Sequence, residues 1–320
     1  MRAIVCYRYG PPEVLKCEEI DKPIPADDEV LIKVRAASVN PMDRLFRGTS
    51  YLVRMLTGLR SPKNIRQGHD VAGQVEAVGK SVTKFKPGDG VFGASLGAFG
   101  EYVCPSERSV VLKPALLTSE QAAAVPVAGF TALQGLRDKG GIQPGQKVLI
   151  NGASGGVGTF AVQIAKSFGA EVTAVCSTRN VDLVRSLGAD HVIDYTQEDF
   201  TRCGQRYDII FDCISNHSLS ACRRILNPKG IYLIVGGPSN MAFLLTRVLK
   251  AFLLSSFVSQ KFIFFVAKLK REDLEILSKL LESGKVTPVI DRRYTLSEVP
   301  DAIRYLEEGH ARGKIVITVS

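Results

Sequence analysis

Apolar and polar positions alternate in a regular order through the middle of the chain. Residues 148–150 form a short apolar run, which is typical of a strand buried on both faces. After a glycine-rich turn at 152–158, apolar residues recur with helical spacing over 160–168. A second β-branched run follows at 172–176. This order of strand, glycine loop, helix and strand predicts one βαβ unit. The alternation continues to about residue 266 and predicts a parallel, doubly wound sheet.

The segments before and after this region have a different pattern. The first part of the chain contains short strand-like runs separated by proline and glycine turns, which predicts a small barrel-like domain. An amphipathic helix over 271–283 and a last strand over 314–319 are too small to form a domain. We therefore expect this tail to rejoin the first domain. The predicted domains are residues 1–122 with 268–320, and residues 123–267.

Composition limits the partners and the compartment. The chain has 320 residues, of which 45% are hydrophobic, and a net charge of +9. No basic run exceeds three residues, so we do not expect nucleic acid as a partner. The seven cysteines form an odd set without a C-x-x-C pair, which indicates reduced thiols. With a polar N-terminus and no long uncharged apolar stretch, the sequence predicts a cytoplasmic protein.

The glycine-rich turn is a candidate phosphate site. A helix N-terminus presents unpaired N–H groups and a partial positive charge, and glycines let the backbone approach a pyrophosphate. Ala153 occupies the first position of the strict G-x-G-x-x-G pattern, but glycines at 152, 155 and 158 keep a related spacing. The alternative is a tight turn without a ligand. The flanking strands and helix favour a dinucleotide held by Ser154, Gly155, Gly156 and Val157.

The end of the second strand indicates which dinucleotide binds. Enzymes that prefer NAD usually have an acidic residue about twenty positions after the glycines, on the ribose hydroxyl. Here the sequence has Ser177, Thr178 and Arg179, two hydroxyls and a guanidinium, with no acid among them. Arginine suits the geometry of a phosphate group, so we predict NADPH as the cofactor. The alternative for Arg179 is an ordinary solvated charge at a helix start.

Motifs along the whole chain match a known family. In order they are GPPEVL (10–15), VNPMD (39–43), GHDVAG (68–73), KPGD (86–89), AAVP (123–126), the glycine turn (152–158), LGAD (187–190) and RGKIV (312–316). In order and spacing they resemble the zinc-independent quinone oxidoreductases of the medium-chain dehydrogenase/reductase superfamily. The ending GHARGK (309–314) is similar to that of the reticulon-interacting mitochondrial oxidoreductases and the chloroplast-envelope quinone oxidoreductase homologues.

The chain departs from the zinc alcohol dehydrogenases of that superfamily. They have a zinc-ligand cysteine where this chain has Asn40, and a structural lobe of four cysteines where residues 90–110 hold only Cys104. Catalytic zinc needs three protein ligands, and only His69 matches one of them. We therefore predict no metal, and we interpret His69 as a hydrogen-bonded structural histidine.

The resemblance implies the fold and the chemistry. It implies an α/β chain with a GroES-like β-barrel catalytic domain and a doubly wound Rossmann domain. NADPH would deliver a hydride to a small lipophilic quinone or an α,β-unsaturated carbonyl. An alternative is an NADPH-binding regulatory or interaction protein with little turnover. The missing zinc ligands argue against a third hypothesis, oxidation of saturated alcohols.

By the same resemblance, Asn40 lies at the nicotinamide and substrate end, although a turn residue before Pro41 is the alternative. Tyr51 would donate to the substrate oxygen, and Asp43 would orient the loop or cap a helix. The remaining residues implied for the cofactor are Thr131, Tyr195, Gly236, Gly237, Phe264 and Val266, with His310 and Arg312, for which a polar turn is the alternative.

Residues 241–258 are unusual for a surface helix. Their apolar side chains form one continuous helical face, with Arg247 and Lys250 opposite. Such a helix lines a pocket or covers a subunit interface; the alternative is an interfacial helix in peripheral contact with a membrane. The apolar run at 262–266 predicts the last strand of the sheet, and we expect a homodimer through that edge, as in the family that the chain resembles.

Overall fold

The computed structural model describes residues 1–47, 54–55, 57–237, 241–255 and 257–319. The chain forms two compact units. Unit 1 comprises Met1–Ala128, Leu269–Gly284 and Pro288–Ser320, and unit 2 comprises Gly129–Lys268 and Lys285–Thr287. Along the chain, the first division falls a few residues after the boundary at 122 that the sequence suggests.

Unit 1 begins with two short strands that pair with each other in antiparallel orientation and continues with strands that build a larger sheet. Its elements before the first division are β1 (Arg2–Cys6), β2 (Leu15–Glu19), β3 (Val30–Val39), α1 (Pro41–Phe46), β4 (Asp70–Val78), β5 (Gly90–Ala94), β6 (Tyr102–Val103), β7 (Val110–Leu112), α2 (Ser119–Ala123) and α3 (Pro126–Gln134), whose last turns belong to unit 2.

Unit 2 alternates strands with helices, as the hydrophobic pattern predicts. A π-helical turn, Gly135–Lys139, follows α3. The elements after it are β8 (Lys147–Asn151), α4 (Gly156–Ser167), β9 (Glu171–Cys176), α5 (Val181–Ser186), β10 (His191–Asp194), β11 (Tyr207–Asp212), α6 (Leu219–Arg224), β12 (Leu226–Ile234), α7 (Met241–Ser255) and β13 (Lys261–Phe264).

The tail of the chain returns to unit 1. It contributes α8 (Arg271–Glu282), β14 (Ile290–Thr295), α9 (Val299–Glu307) and β15 (Lys314–Thr318). The large sheet of this unit has the strand order β14-β15-β3-β4-β5-β7, and β6 pairs with β3. The strands are antiparallel except for β14 beside β15. The tail thus completes the sheet, and Ile315 is buried in the same apolar core as Ile32 and Phe99.

The sheet of unit 2 positions the candidate cofactor site. Its six described strands are all parallel, in the order β10-β9-β8-β11-β12-β13. The chain leaves β8 toward β9 on one side and later returns to β11 on the other side. Ligands of such sheets bind beyond the carboxyl ends of the strands, where the order reverses. The predicted α/β class and the doubly wound sheet are confirmed.

Candidate functional site

The glycine loop connects β8 to α4 at the reversal of strand order. Gly152 has a φ of +83°, which side-chain-bearing residues rarely adopt. A Cβ on Gly158 would lie 2.1 Å from the carbonyl oxygen of Gly152. These two glycines are therefore required by the protein itself, one by backbone conformation and the other by the contact of the helix with the loop.

Gly155 differs from both. Its φ is −82°, and among the described atoms a Cβ there would meet only the Gly152 carbonyl oxygen, at an ordinary 3.5 Å. Neither strain nor packing requires glycine at this position. Gly155 is also the N-cap of α4, with no side-chain cap, and the first turn of the helix contains no acid. The backbone at Gly155, Gly156 and Val157 therefore has space and positive polarity for a pyrophosphate.

A buried asparagine joins this loop to Ser177, Thr178 and Arg179, which are predicted to hold the 2′-phosphate of NADPH and are called the 2′-phosphate segment below. Asn180 is 5% exposed, and its Nδ2 donates to Oγ of Ser154 at 2.9 Å and to Oγ of Ser177 at 3.2 Å. Its Oδ1 is buried and has no hydrogen-bond partner among the residues that the structure describes. Asn180 therefore holds the hydroxyls of Ser154 and Ser177 close to each other. The sequence alone does not reveal this role of Asn180, because the contact with Ser154 spans 26 positions.

The structure places an acidic residue, Asp194, beside the 2′-phosphate segment. Oγ1 of Thr178 donates to Oδ2 of Asp194 at 2.5 Å and lies 3.0 Å from Oγ1 of Thr196. The Thr178 hydrogen bond is the largest of the causes that lower the pKa of Asp194, so the carboxylate is ionised at neutral pH. Asp194 ends β10, eighteen positions after the end of β9, so the residues at the end of β9 do not reveal it. Arg179 is exposed at the same loop.

Tyr195 lies next to that segment. Its backbone N–H donates to the carbonyl oxygen of Cys176 at 3.0 Å, so it is fixed at the carboxyl end of β9. The side chain is 57% exposed and borders a cavity of about 350 Å³ that extends to Phe200 and His217. An exposed ring beside an open cavity at this edge is suited to contact with an adenosine.

Buried polar contacts hold the neighbouring strand ends. Oδ1 of Asp212 accepts from Nδ2 of Asn151 at 2.9 Å and from the backbone N–H of Ser215 at 2.8 Å. Oγ of Ser215 donates to the carbonyl oxygen of Gly236 at 2.7 Å. A Cβ on Gly236 would lie 2.3 Å from the Cys213 carbonyl oxygen, so close packing requires glycine there.

The other predicted cofactor residues of unit 2 lie on several elements. Thr131 is half-buried on α3, and Gly237 is exposed just after Gly236. Phe264 ends β13 and is 39% exposed, whereas Val266 lies two positions beyond the strand and is 74% exposed. The predicted strand over 262–266 thus ends at Phe264.

Asn40 belongs to a buried polar cluster of unit 1. It is 1% exposed, and its Oδ1 accepts from Nζ of Lys314 at 2.6 Å. Its Nδ2 donates to Oδ2 of Asp70 at 2.8 Å, and the Lys314 ammonium lies 3.3 Å from the same carboxylate oxygen. Oγ of Ser38 also donates to Asp70, at 2.7 Å. Lys314 and Asp70 thus hold the side-chain amide of Asn40 within the unit.

Asp43 and His69 form a second pair next to this cluster. Nδ1 of His69 lies 2.7 Å from Oδ1 of Asp43, whose Oδ2 accepts from the backbone N–H of Asn40. Burial lowers the pKa of His69, but the hydrogen bond with Asp43 and the charges of Asp43 and Asp70 outweigh it and raise that pKa. Asp43 therefore both orients the loop at Asn40 and holds His69, as the structural interpretation of that histidine predicts.

Of the remaining predicted site residues, His310 and Arg312 lie in unit 1. His310 and Arg312 are exposed in the turn before β15, and the Arg312 backbone N–H donates to Oδ2 of Asp291 at 2.8 Å. Tyr51 lies outside the described residues. Across the described part of the chain, no group of three or more His, Cys, Asp and Glu side chains is arranged to hold a metal ion.

Comparison with known proteins identifies the family. Residues 26–115 match the alcohol dehydrogenase GroES-like domain, and residues 187–317 match the zinc-binding dehydrogenase family. The chain is 36% identical to the mitochondrial NAD(P)H oxidoreductase RTN4IP1 of Mus musculus, over 100% of the chain and 89% of that protein. The chain belongs to the medium-chain dehydrogenase/reductase superfamily.

Two further similarities place it among the quinone and enone reductases of this superfamily. It is 36% identical to a 2-methylene-furan-3-one reductase of Solanum lycopersicum, over 97% of the chain and 76% of that protein. The solved quinone oxidoreductase of Coxiella burnetii is 32% identical, with a TM-score of 0.86 over 100% of this chain and 99% of that one. The medium-chain dehydrogenase/reductase described here is therefore an NAD(P)H-dependent oxidoreductase with a GroES-like domain and a Rossmann domain, as the resemblance implied.

Proposed function

We propose that this oxidoreductase transfers a hydride from NADPH to a quinone or an α,β-unsaturated carbonyl without zinc. The observation that carries the proposal is the open space at Gly155, where the protein itself does not require glycine but a bound pyrophosphate does. The similarity to a quinone oxidoreductase and to a 2-methylene-furan-3-one reductase supports the two classes of acceptor.

The 2′-phosphate segment supports NADPH over NADH. Arg179 is exposed at the end of β9, and the Ser177 hydroxyl is held by Asn180. The carboxylate of Asp194 accepts hydrogen bonds from the Thr178 hydroxyl and from the backbone N–H of Thr196. These hydrogen bonds within the protein stabilise its negative charge. We infer that Arg179 and Ser177 bind the phosphate and that Thr178 acts through its contact with Asp194. Tyr195 would contact the adenosine.

The polar cluster of unit 1 supports chemistry without zinc. Where zinc alcohol dehydrogenases have a ligand cysteine, this chain has Asn40, and its amide oxygen accepts from the Lys314 ammonium. His69 already shares a hydrogen bond with Asp43. A zinc ion would compete with the Lys314 cation for Asp70 and with Asp43 for His69. The polar groups of Asn40, Asp70 and His69 therefore already have hydrogen-bond or ion-pair partners within unit 1.

Without zinc, the rate of the reaction depends on how the protein orients the two reactants and stabilises the negative charge that forms. Bound NADPH supplies the hydride, and the acceptor becomes an enolate or hydroquinone anion that takes a proton. The chain's own task is to orient the two reactants and to stabilise the negative oxygen by hydrogen-bond donors. Tyr51 remains the proposed donor. We propose that Asn40 positions the loop at the substrate end and that Thr131, Gly237, Phe264, Val266, His310 and Arg312 border the nicotinamide.

The first test is NADPH consumption with a panel of acceptors. We would use phenanthrenequinone, a ubiquinone analogue, a long-chain enal and a saturated secondary alcohol with NADP⁺. Turnover with a quinone or the enal supports the proposal. NADPH binding without turnover on any acceptor would instead support a regulatory or interaction protein, and turnover confined to the alcohol would overturn the acceptor class.

The free edge of the sheet supports a homodimer. Among the described strands, β13 is the last in its sheet, and its end exposes Phe264. An apolar edge strand invites pairing with another strand. We propose that two copies pair through β13, which chromatography with light scattering would test by mass. The seven free cysteines agree with a reducing compartment, and a cytoplasmic location remains a prediction.

A further inference from the structure

Helix α7 exposes the face that surface helices usually bury. Leu245, Leu249, Phe252 and Leu253 lie on one side of it and are each at least half exposed, with Leu249 at 59% and Phe252 at 68%. After the helix, Phe257 is 84% exposed. Helices of globular proteins normally direct such a stripe toward the core. We name these five residues the apolar ridge.

The opposite side of α7 is fixed to the core of unit 2. Arg247 is 7% exposed, and its guanidinium donates to the hydroxyl of Tyr232 and to the carbonyl oxygen of His217. Ala251 is 2% exposed, and Leu244 and Leu254 pack against the same core. The buried Asp212–Tyr232 pair thus draws the arginine inward, and the leucines of the ridge are turned outward as a consequence.

The sequence around the ridge holds the whole net charge of the chain. Between Asp212 and Glu272 there is no acidic residue, but there are nine lysines and arginines. The net charge of the chain is +9, so the rest of the protein is neutral, with 32 acidic residues balanced by as many basic ones. No run of basic residues reveals this segment, because the asymmetry comes from the absence of acids.

Several of these cations lie on α7 or on elements packed against it. Lys250 is exposed on α7 itself. Lys261 is exposed at the start of β13, next to Phe262, whose backbone N–H donates to Oγ of Ser255 of α7 at 3.0 Å. The exposed Arg223 and Arg224 end α6, which lines a cavity of about 530 Å³ together with α7. Exposed cations thus lie on α7 itself, on the strand bonded to its end and on the helix that shares a cavity with it.

We propose that the apolar ridge and these cations form a docking surface for an anionic lipid bilayer. Charge complementarity selects this occupant: the leucines and phenylalanines enter the boundary between headgroups and acyl chains, and the lysines and arginines meet anionic headgroups. A second copy docked on the ridge itself, unlike one paired through the edge of β13, would bring two cationic surfaces together. None of the helices in the described residues is both long and apolar enough to span a bilayer, and the proposed contact is peripheral.

The test is sedimentation of the full chain with vesicles of two compositions. One is phosphatidylcholine alone, and the other is phosphatidylcholine and phosphatidylglycerol in equal parts. We expect binding to the anionic vesicles and much weaker binding to the neutral ones. Each exposed cation near the surface contributes about fivefold in affinity, so the double variant Arg223→Gln/Arg224→Gln should bind roughly twentyfold more weakly. High salt should weaken binding similarly.

The variant Leu249→Asn/Leu253→Asn tests the ridge. It should reduce binding to anionic vesicles at least about tenfold, whereas Leu116→Asn, which replaces an exposed leucine of unit 1, should leave binding unchanged. All these positions are exposed, and an unchanged Tm verifies the fold. Equal binding to both vesicle types, or full binding by the ridge variant, overturns the proposal. Failure of the wild type to bind either type of vesicle also overturns it. If the ridge variant is then a monomer while the wild type is a dimer, the ridge is a protein interface.

Discussion

The ammonium of Lys314 lies 2.6 Å from the side-chain oxygen of Asn40, although 274 positions separate the two residues in the chain. Lys314 is 3% exposed and also lies 3.3 Å from Oδ2 of the fully buried Asp70. One lysine of the last strand therefore holds the amide at the predicted substrate end and neutralises the carboxylate beneath it. Removing one partner of a buried ion pair is strongly destabilising because the other charge stays uncompensated.

We therefore expect Lys314→Met to lower the stability of the protein by about 3 kcal/mol and to lower Tm by several degrees. The double variant Lys314→Met/Asp70→Asn removes both charges and should recover a substantial part of that loss. The surface variant Lys80→Met is the matched control. Thermal unfolding followed by circular dichroism measures all four proteins, and a wild-type Tm in Lys314→Met would contradict the buried pair.

The glycine loop predicts opposite effects for two similar substitutions. In Gly155→Ala the new methyl group enters open space, so Tm should stay close to the wild-type value while NADPH binding weakens about tenfold or more. In Gly158→Ala the methyl group would lie 2.1 Å from the Gly152 carbonyl oxygen, so stability itself should fall. Calorimetric titration and thermal unfolding separate the two. Unchanged NADPH binding in Gly155→Ala would show that no ligand approaches this position.

Arg179 should determine the preference between the two cofactors. A charge-assisted hydrogen bond contributes about 1.5–3 kcal/mol, so Arg179→Ala should raise KM for NADPH about tenfold to a hundredfold. KM for NADH should change little, and kcat should be retained. The control is Arg185→Ala, an exposed arginine on the following helix. Equal use of NADPH and NADH by the wild type would overturn the cofactor assignment.

The pair of His69 and Asp43 predicts a dependence of stability on pH. Burial opposes protonation, but the contacts with Asp43 and Asp70 prevail and raise the pKa of His69 above its ordinary value of about 6.5. A raised pKa means that protonation stabilises the folded state. The contribution is fully present below about pH 6.5 and is lost as pH rises through the folded-state pKa.

Denaturation by urea at several pH values tests this. The wild type should exceed His69→Gln in unfolding free energy by more at about pH 6 than at about pH 9. These two pH values, approximate choices, lie below and above the ordinary histidine pKa of about 6.5. His191→Gln, at an exposed position, controls for loss of a histidine. A difference that grows as pH rises would reverse the sign of the proposed linkage.

The hydrophobic pattern predicts the fold well because local periodicity determines it. The apolar run at β8, the helical spacing of α4 and the β-branched residues of β9 each fit one element. The tail is too short to bury a core alone, so the sequence predicts that it rejoins the first domain. Its placement in unit 1 follows from that requirement.

Contacts between distant residues explain what the sequence does not predict. Asn180 beside Ser154, Asp194 beside Thr178 and Lys314 beside Asn40 become neighbours only after the strands pair. The orientation of α7 has the same cause, because Arg247 is drawn inward by Tyr232. Periodicity finds an apolar face on that helix but does not say that it points away from the core.

Isotopic labelling tests whether a hydride passes from NADPH to the acceptor. NADPH carrying deuterium at the transferred position of the nicotinamide is oxidised with a long-chain enal, and the product is examined by mass spectrometry and NMR. We expect one deuterium per product molecule, at the carbon β to the carbonyl. NADPH that binds but is not consumed with the enal or with any quinone, or product formed without the label, would contradict it.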